Sequence, residues 1–413
     1  MLPVSSPDSR QARPRALVVG GGIGGLAAAI AVRGAGWDVD VLERCGIGAA
    51  PGAGLSLWPN GVRALHELGL GEAVEAAAVR VPEVAIRRAD GKVLMRLDAD
   101  AIERRWGAPL LAIHRGELLE AALERLGATA PRPLAGRARR DAVAPSGHPS
   151  AGRRRRGAAV VHRHAEVELV EEGGVRLTDG TVLEADLVIG ADGLRSTTRG
   201  ALLPESEPRD SGLVALRGVV AWRGELDAGE WWATGLLGGL LPLRGSRAYW
   251  YMACHAADEA PPVELAARLG GPVADAVAAT PPSLVRRHAL VDRPPETRIT
   301  GARLTLVGDA AHPMLPFLGQ GACAALQDAA CLGRALAAEE QLAPALRRYE
   351  SERGAATARL VRASRSAARI ALVRSPRLRA VRDGMMAATP QRVHLRRLGR
   401  ALELAPVPVE AAA

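Results

Sequence analysis

Short apolar runs punctuated by glycine organise this chain. ALVV (Ala16 to Val19), DVDVL (Asp38 to Leu42), DLVIG (Asp186 to Gly190) and RLTLVG (Arg303 to Gly308) have the length and continuity of buried strands. Between the first two, LAAAIAV (Leu26 to Val32) reads as a close-packed helix. GLVALRGVVAW (Gly212 to Trp222), LLGGLLPL (Leu236 to Leu243) and RAYWYMAC (Arg247 to Cys254) have strand character, without the polar spacing of surface helices. Alternation in the last of these puts Tyr249 and Tyr251 on one face and Trp250 and Met252 on the other, so only one pair can face a ligand. From Ala343, APALRRYESERGAATARLVRASRSAARIALV has a helical period, followed at the end by a loose APVPVEAAA tail.

The first apolar run carries chemistry. Gly20, Gly22 and Gly25 form a GxGxxG turn between strand and helix, with Ile23 and Gly24 inside it. The first glycine allows the tight turn, the second lets the backbone approach a pyrophosphate, and the third lets helix and strand touch. Glu43 ends the second strand, where an acid can bond ribose hydroxyls, and Arg44 follows it. Strand, helix, strand and terminal acid together point to an adenine dinucleotide, and the turn alone does not separate NAD from FAD.

Two later segments bear on that choice. DLVIGADGLRSTTR delivers Asp192-Gly193 from a strand end, and GDAAHPMLPFLGQGACAALQDA places Gly308, Asp309, Pro313, Pro316 and Gly319-Gln320-Gly321-Ala322 before an alanine-rich helix. Such a helix start holds free N–H groups and a positive dipole end toward a ligand. The segment from Gly52, GAGLSLWPNGVRALHELGL, with Gly54 inside it, and HRGELLEAAL from His114, with Arg115, complete the set.

With these motifs, spread over Ala16 to Leu336, the chain resembles the group A flavoprotein monooxygenases of the p-hydroxybenzoate hydroxylase-like family, in their short single-component branch. The resemblance implies an α/β fold: a Rossmann-like, glutathione reductase-like FAD-binding domain, an inserted β-sheet substrate domain and C-terminal helices. The expected layout is a leader over 1–15, an FAD domain over 16–80, 106–205 and 285–342, a substrate sheet over 81–105 and 206–284, helices over 343–404 and a tail over 405–413. It implies that Asp309 receives the ribityl chain of FAD and that Arg115 reaches the cofactor. Gly319-Gln320-Gly321 would face the N1/C2 edge of the flavin, with Pro316 holding the loop against the ring. Arg217 falls where similar proteins carry a pocket arginine able to hold an acidic or phenolate substrate; as a strand residue it reads equally well as a surface cation. His312 reads as structural, bonded to local backbone, and Cys323 as a packing residue.

The implied reaction uses NADH or NADPH to reduce FAD and O2 to form a flavin C4a-hydroperoxide, which hydroxylates an aromatic or polyketide-like small molecule. Epoxidation or Baeyer-Villiger insertion would use the same residues. A flavin-dependent reductase or dehydrogenase and a flavin-binding protein without turnover are the other classes left open.

Composition adjusts this picture little. At 413 residues, 48% hydrophobic, the chain can bury a substantial core. A net charge of +9 raises the question of nucleic acid, yet the cations are nearly all arginine, Lys92 being the single lysine, and no basic-aromatic interleaving appears. No nucleic-acid partner is expected. Cys45, Cys254, Cys323 and Cys331 show neither metal nor disulfide spacing, so no metal is expected and a reducing cytoplasm is the default. MLPVSSPDSRQARPR lacks the apolar core of a signal peptide, and the run Ala16 to Val32 is broken by five glycines, so no stable membrane association is expected. The chain is read as a monomer or homodimer. Pro131 to Arg156, where the family carries a strand near the adenine, reads as an arginine-rich insertion.

Overall fold

The computed structural model describes residues 13–46, 53–127, 159–171, 173–204, 206–224 and 226–402, so the arginine-rich insertion lies outside the described residues. Its first unit is a five-stranded parallel sheet in the order Leu304–Leu306, Leu187–Gly190, Arg15–Val19, Asp38–Glu43 and Val160–Arg163. Parallel strands buried on both faces read as continuous apolar runs, which is why alternation is missing from the sequence. Ala16 and Val18 face the helical layer with Leu26, Ala29 and Leu332, whereas Leu17 and Val19 face an antiparallel sheet with Val170, Val175 and Leu183. That second layer is the three-stranded sheet Val167–Glu171, Gly174–Leu177 and Val182–Glu184. Helix Ile23–Gly34 crosses from the first strand to the second and packs beside Gly321–Ala338. Gly333 allows that approach, since a Cβ there would lie 2.8 Å from Ala31 Cβ.

The second unit is a seven-stranded sheet in the order Arg286–Asp292, Arg209–Ala221, Arg247–His255, Leu236–Leu243, Gly229–Ala233, Glu83–Arg88 and Val93–Asp98. The strands expected at 212–222, 236–243 and 247–254 are at its centre. Strand Arg286–Asp292, which the sequence layout placed with the cofactor unit, pairs instead with Arg209–Ala221. Its RRHALVD pattern identifies a strand but not a partner.

The two faces of this sheet differ. Trp250, Met252, Leu216 and Leu240 are buried against helices Pro262–Leu269 and Gly271–Ala278, and Trp250 Nε1 donates to Thr280 Oγ1 at 2.8 Å. Tyr249 and Tyr251 take the opposite face, toward the dinucleotide unit, where Tyr249 packs with Ala53 and Tyr251 lies near Phe317 and Leu315. Of the two pairs separated by alternation, the tyrosines are therefore the pair that faces the cleft. The units touch at Gly54, where a Cβ would lie 2.5 Å from Tyr249 Cγ. The long helix Leu342–Ala371 then closes the dinucleotide unit, with buried Tyr349 donating to Leu306 O at 2.8 Å. Among the described residues no helix is long and apolar enough to cross a membrane.

Candidate cofactor and substrate cleft

The glycine turn has the geometry its spacing predicts. Gly20 has φ +107°, and a Cβ there would lie 2.4 Å from Ala191 O; at Gly25 it would lie 1.9 Å from Gly20 O. Gly22, by contrast, meets nothing within 4 Å, so its open side is available to a ligand backbone. Gly22 caps helix Ile23–Gly34 without a side-chain bond, and no acid lies in the first turn, leaving the N–H groups around Ile23 and Gly24 for an anion. Glu43 closes the turn: its carboxylate accepts Gly21 N–H at 2.6 Å and Cys45 N–H at 2.7 Å. Arg44 turns outward, 70% exposed, and pairs with Glu166 at 3.6 Å.

Asp192 uses its carboxylate locally. It accepts from Ser196 Oγ at 2.5 Å and from Thr198 N and Oγ1 at 3.1 Å, fixing the start of helix Thr197–Leu202. Gly193 beside it takes φ +79°. The preceding residue, Ala191, is the wall that forbids a side chain at Gly20, so this segment and the glycine turn set one another's position.

Asp309 is the pivotal acid. It is solvent-accessible, yet protein surrounds it closely enough that lost hydration raises its pKa, against the pull of His312 and Arg115. That combination marks the floor of a cleft. Its carboxylate makes no side-chain hydrogen bond among the described residues, so its acceptor capacity is unspent. Gly308, with φ +59°, makes the turn that presents it. A Cβ on Gly321 would lie 4.0 Å from Asp309 Oδ1, which puts the carboxylate beside the start of helix Gly321–Ala338. That start, Gly321-Ala322, has neither a capping side chain nor an acid in its first turn.

Arg115 starts helix Arg115–Leu126, its own N–H held by Ala53 O at 2.9 Å. Burial lowers its pKa and Arg217 adds to the effect, while Glu43 and Asp309 oppose it. Arg115 thus lies within electrostatic reach of Glu43, Asp309 and Arg217, and no side-chain hydrogen bond or ion pair holds it among the described residues.

The loop between Asp309 and the helix is shaped by its neighbours. Pro316 opens a 3-10 turn over Pro316–Leu318 and is exposed. Gly319 follows with φ +62°, where a Cβ would lie 2.8 Å from Ser56 Oγ. The Gln320 side chain is buried and accepts from Asn60 Nδ2 at 2.7 Å, so it is committed to the core. Cys323 is wholly buried, its thiol pushed up to about 11 by burial, and it packs against Gly61. His312 departs from the sequence reading in its partner: its Nε2 bonds the Asp328 carboxylate, sixteen residues on, rather than local backbone.

On the sheet, the Arg217 guanidinium lies near Tyr249, and its charge opposes the rise in tyrosine pKa that burial imposes. Tyr249 and Tyr251 lie with ring centroids 5.8 Å apart. Glu230 is the residue that motif reading missed. Its Oε1 accepts from Tyr251 Oη at 2.6 Å and its Oε2 from Trp232 Nε1 at 2.8 Å. Its only signal in the sequence is an acid within the short strand Gly229–Ala233, GEWWA. Trp231 and His255 do not join the cleft: Trp231 is in the core on the other face, and His255 Nε2 bonds Leu372 O at 3.1 Å.

An uncapped helix start over an open glycine, a second uncapped start beside an unspent carboxylate, and an unpaired arginine between them fit a long, flat, anionic dinucleotide such as FAD. Comparison with known proteins agrees. Residues 150–364 match the family model described as an FAD binding domain. The aurachin C monooxygenase/isomerase of Stigmatella aurantiaca is 33% identical over 358 residues, 82% of this chain and 84% of that protein. The 3-amino-4-hydroxybenzoate 2-monooxygenase of Streptomyces cremeus is 36% identical over 404 residues, 92% and 93% of the two chains. Among solved structures, Klebsiella pneumoniae HpxO complexed with FAD and uric acid superposes with a TM-score of 0.80 at 26% identity, covering 95% of this chain and 97% of that one.

Proposed function

Because the chain belongs to the FAD-dependent aromatic monooxygenases, we propose that it uses NADH or NADPH and O2 to hydroxylate a small aromatic or polyketide-like molecule in the cleft between its two units. Bound FAD would supply the redox chemistry, taking two electrons from the nicotinamide and activating O2. The residues of the chain supply binding, orientation and a dry site. Gly22, with the N–H groups of Ile23 and Gly24, would hold the pyrophosphate, and Glu43 would exchange its backbone partners for ribose hydroxyls. Asp309 would accept from the ribityl chain, and Arg115 would add a cation along the cofactor.

The helix start at Gly321-Ala322 would present backbone N–H groups to the electron-rich edge of the flavin ring and stabilise negative charge there. Pro316 and Gly319 would keep the loop against the ring, the first by its fixed φ and missing donor, the second by its left-handed turn. Arg217, beside Tyr249, would hold an anionic or phenolate oxygen of the substrate, while the tyrosine face of the sheet and Phe317 would exclude water. Relatives named for aminohydroxybenzoate and a neighbour complexed with uric acid support a compact ring as substrate.

The observation that carries this reading is Asp309, an acceptor without a protein partner among the described residues, on a cleft floor beside a helix start. The test is consumption of NADH and NADPH by the FAD-loaded protein in air, across phenols, aromatic acids and polycyclic quinols, with mass detection of products. Substrate-stimulated consumption with one oxygen atom added is expected. Turnover that proceeds equally without oxygen, leaving no oxygenated product, would identify a reductase instead.

A further inference from the structure

One row of residues crosses the cleft face of the substrate sheet. Glu230 pairs with Gly239, Gly239 with Tyr251, and Tyr251 with Arg217, each directly opposite the next on neighbouring strands. Gly239 makes the row work. A Cβ there would lie 2.2 Å from Tyr251 Cζ, so the tyrosine ring lies across a strand that has no side chain at this point, and its hydroxyl reaches Glu230.

The result is a wall with two unlike ends. At one end is a carboxylate held by two neutral donors, Tyr251 and Trp232, and by no cation among the described residues. At the other is the Arg217 guanidinium, near Tyr249 and paired with no carboxylate among the described residues. The other charges nearby are accounted for: Arg382 stacks on the Trp232 ring at 4.9 Å and bonds Asp383 at 2.7 Å. Three strand spacings separate the two ends, about 14 Å between backbones. Side chains leaning inward reduce that to the span of a substituted aromatic or bicyclic molecule.

A carboxylate taken from water without a cation is costly, and two neutral donors compensate it only in part. Each of its oxygens has received one hydrogen bond and can accept another. Its end of the cleft therefore rejects a second anion, whether benzoate or phenolate, and favours a donor that stays protonated near neutral pH. An aromatic N–H and a neutral phenolic O–H are such donors, whereas an ether or a carboxylate is not.

We propose that Glu230 is a specificity-determining residue that accepts a hydrogen bond from an N–H or neutral O–H group of the aromatic substrate while Arg217 holds an oxygen at the other end, so that the enzyme prefers aromatics with a donor at that end to matched compounds with an ether there. This rests on the monooxygenase reading of the cleft. Tyr251 is a positioning residue that acts through Glu230.

The experiment compares matched probes in the FAD-loaded enzyme, with donor and oxygen at opposite ends of the ring: para-aminophenol against para-methoxyphenol, and 4-aminobenzoate against 4-methoxybenzoate. Binding is read from perturbation of the flavin absorbance, and turnover from NAD(P)H consumption with product mass. The wild-type protein is expected to bind the nitrogen member of each pair about tenfold more tightly or better. Glu230→Gln, whose amide oxygen can still accept from Tyr251, is expected to lose that difference. Burial sets the Glu230 pKa above the ordinary carboxylate range, so the wild-type preference is present at high pH and fades as pH falls through that raised value. Tyr251→Phe removes a donor to the carboxylate and moves the fading to higher pH. If Glu230 only braces Tyr251, Glu230→Gln keeps the wild-type discrimination and the proposal fails. A wild-type protein with no preference for the nitrogen members, including one that binds none of the four, also overturns it. Product oxygenation among phenols in general, with discrimination absent, would leave the monooxygenase reading standing alone; its absence across the broader panel counts against that reading instead.

Discussion

Asp328 Oδ2 accepts the N–H of Gly308 at 2.9 Å, so a carboxylate about two turns inside helix Gly321–Ala338 holds the residue immediately before Asp309. The same carboxylate bonds His312 and, through Oδ1, Arg353 Nε at 2.7 Å, and it is wholly buried. The cleft acid is thus hung from an ion cluster in the core. Asp328→Asn should leave buried Arg353 without its counter-ion, at a cost of about 3–5 kcal/mol. Urea unfolding of the apoprotein checks that figure, and FAD occupancy of purified protein should fall with it. A variant within about 1 kcal/mol of wild type would show that the cluster is not a structural anchor.

The same cluster sets an acid limit. Burial pushes the Asp328 carboxyl upward, but His312 and Arg353 more than reverse this and hold it at about 2. An unfolded aspartate titrates near about 3.9. Because the folded value is the lower one, the contribution is fully present above the unfolded pKa and is lost as pH falls from there through about 2. Stability measured across this window should drop more steeply in wild type than in Asp328→Asn, and equal slopes would count against the assignment.

Asp309→Ala separates cofactor binding from folding. The raised pKa of Asp309 means that its charged form is disfavoured in the apoprotein, so its removal should leave apo stability unchanged or slightly higher. FAD retention should instead be abolished, because the ribityl acceptor is gone. A purified variant with a full flavin absorption band would contradict the assignment.

How much of this was legible in the sequence depended on what each feature needs. The dinucleotide unit could be read because a glycine turn is a local constraint: Gly20 and Gly25 are required by backbone atoms a few residues away or on the adjacent strand. The tyrosine pair could be separated from Trp250 and Met252 by alternation alone, though not the face that meets the cleft, which depends on where helices Pro262–Leu269 and Gly271–Ala278 pack. Glu230 was invisible because its role comes from register. Only the pairing of three strands brings Tyr251 to it over Gly239, and a glutamate in a short strand carries no such information. For the same reason His312 had the wrong partner: Asp328 lies sixteen residues away on a helix that folds back under the loop. The assignment of strand Arg286–Asp292 failed likewise, since sheet membership is a tertiary property.

Arg217→Ala tests the other end of the wall. With no carboxylate partner among the described residues, Arg217 contributes little to folding, so stability should stay within about 1 kcal/mol of wild type. Loss of a charge-assisted hydrogen bond to substrate should weaken binding by about 1.5–3 kcal/mol, roughly ten- to a hundredfold. A second readout does not need the substrate. The His288 pKa is lowered first by burial and then by Arg217, so removing the guanidinium should raise it, and a titration followed by the imidazole NMR signals reads the shift directly. A raised His288 pKa with unchanged substrate affinity would place Arg217 on this sheet face but not in contact with the substrate. An unchanged His288 would mean that the side chain points elsewhere.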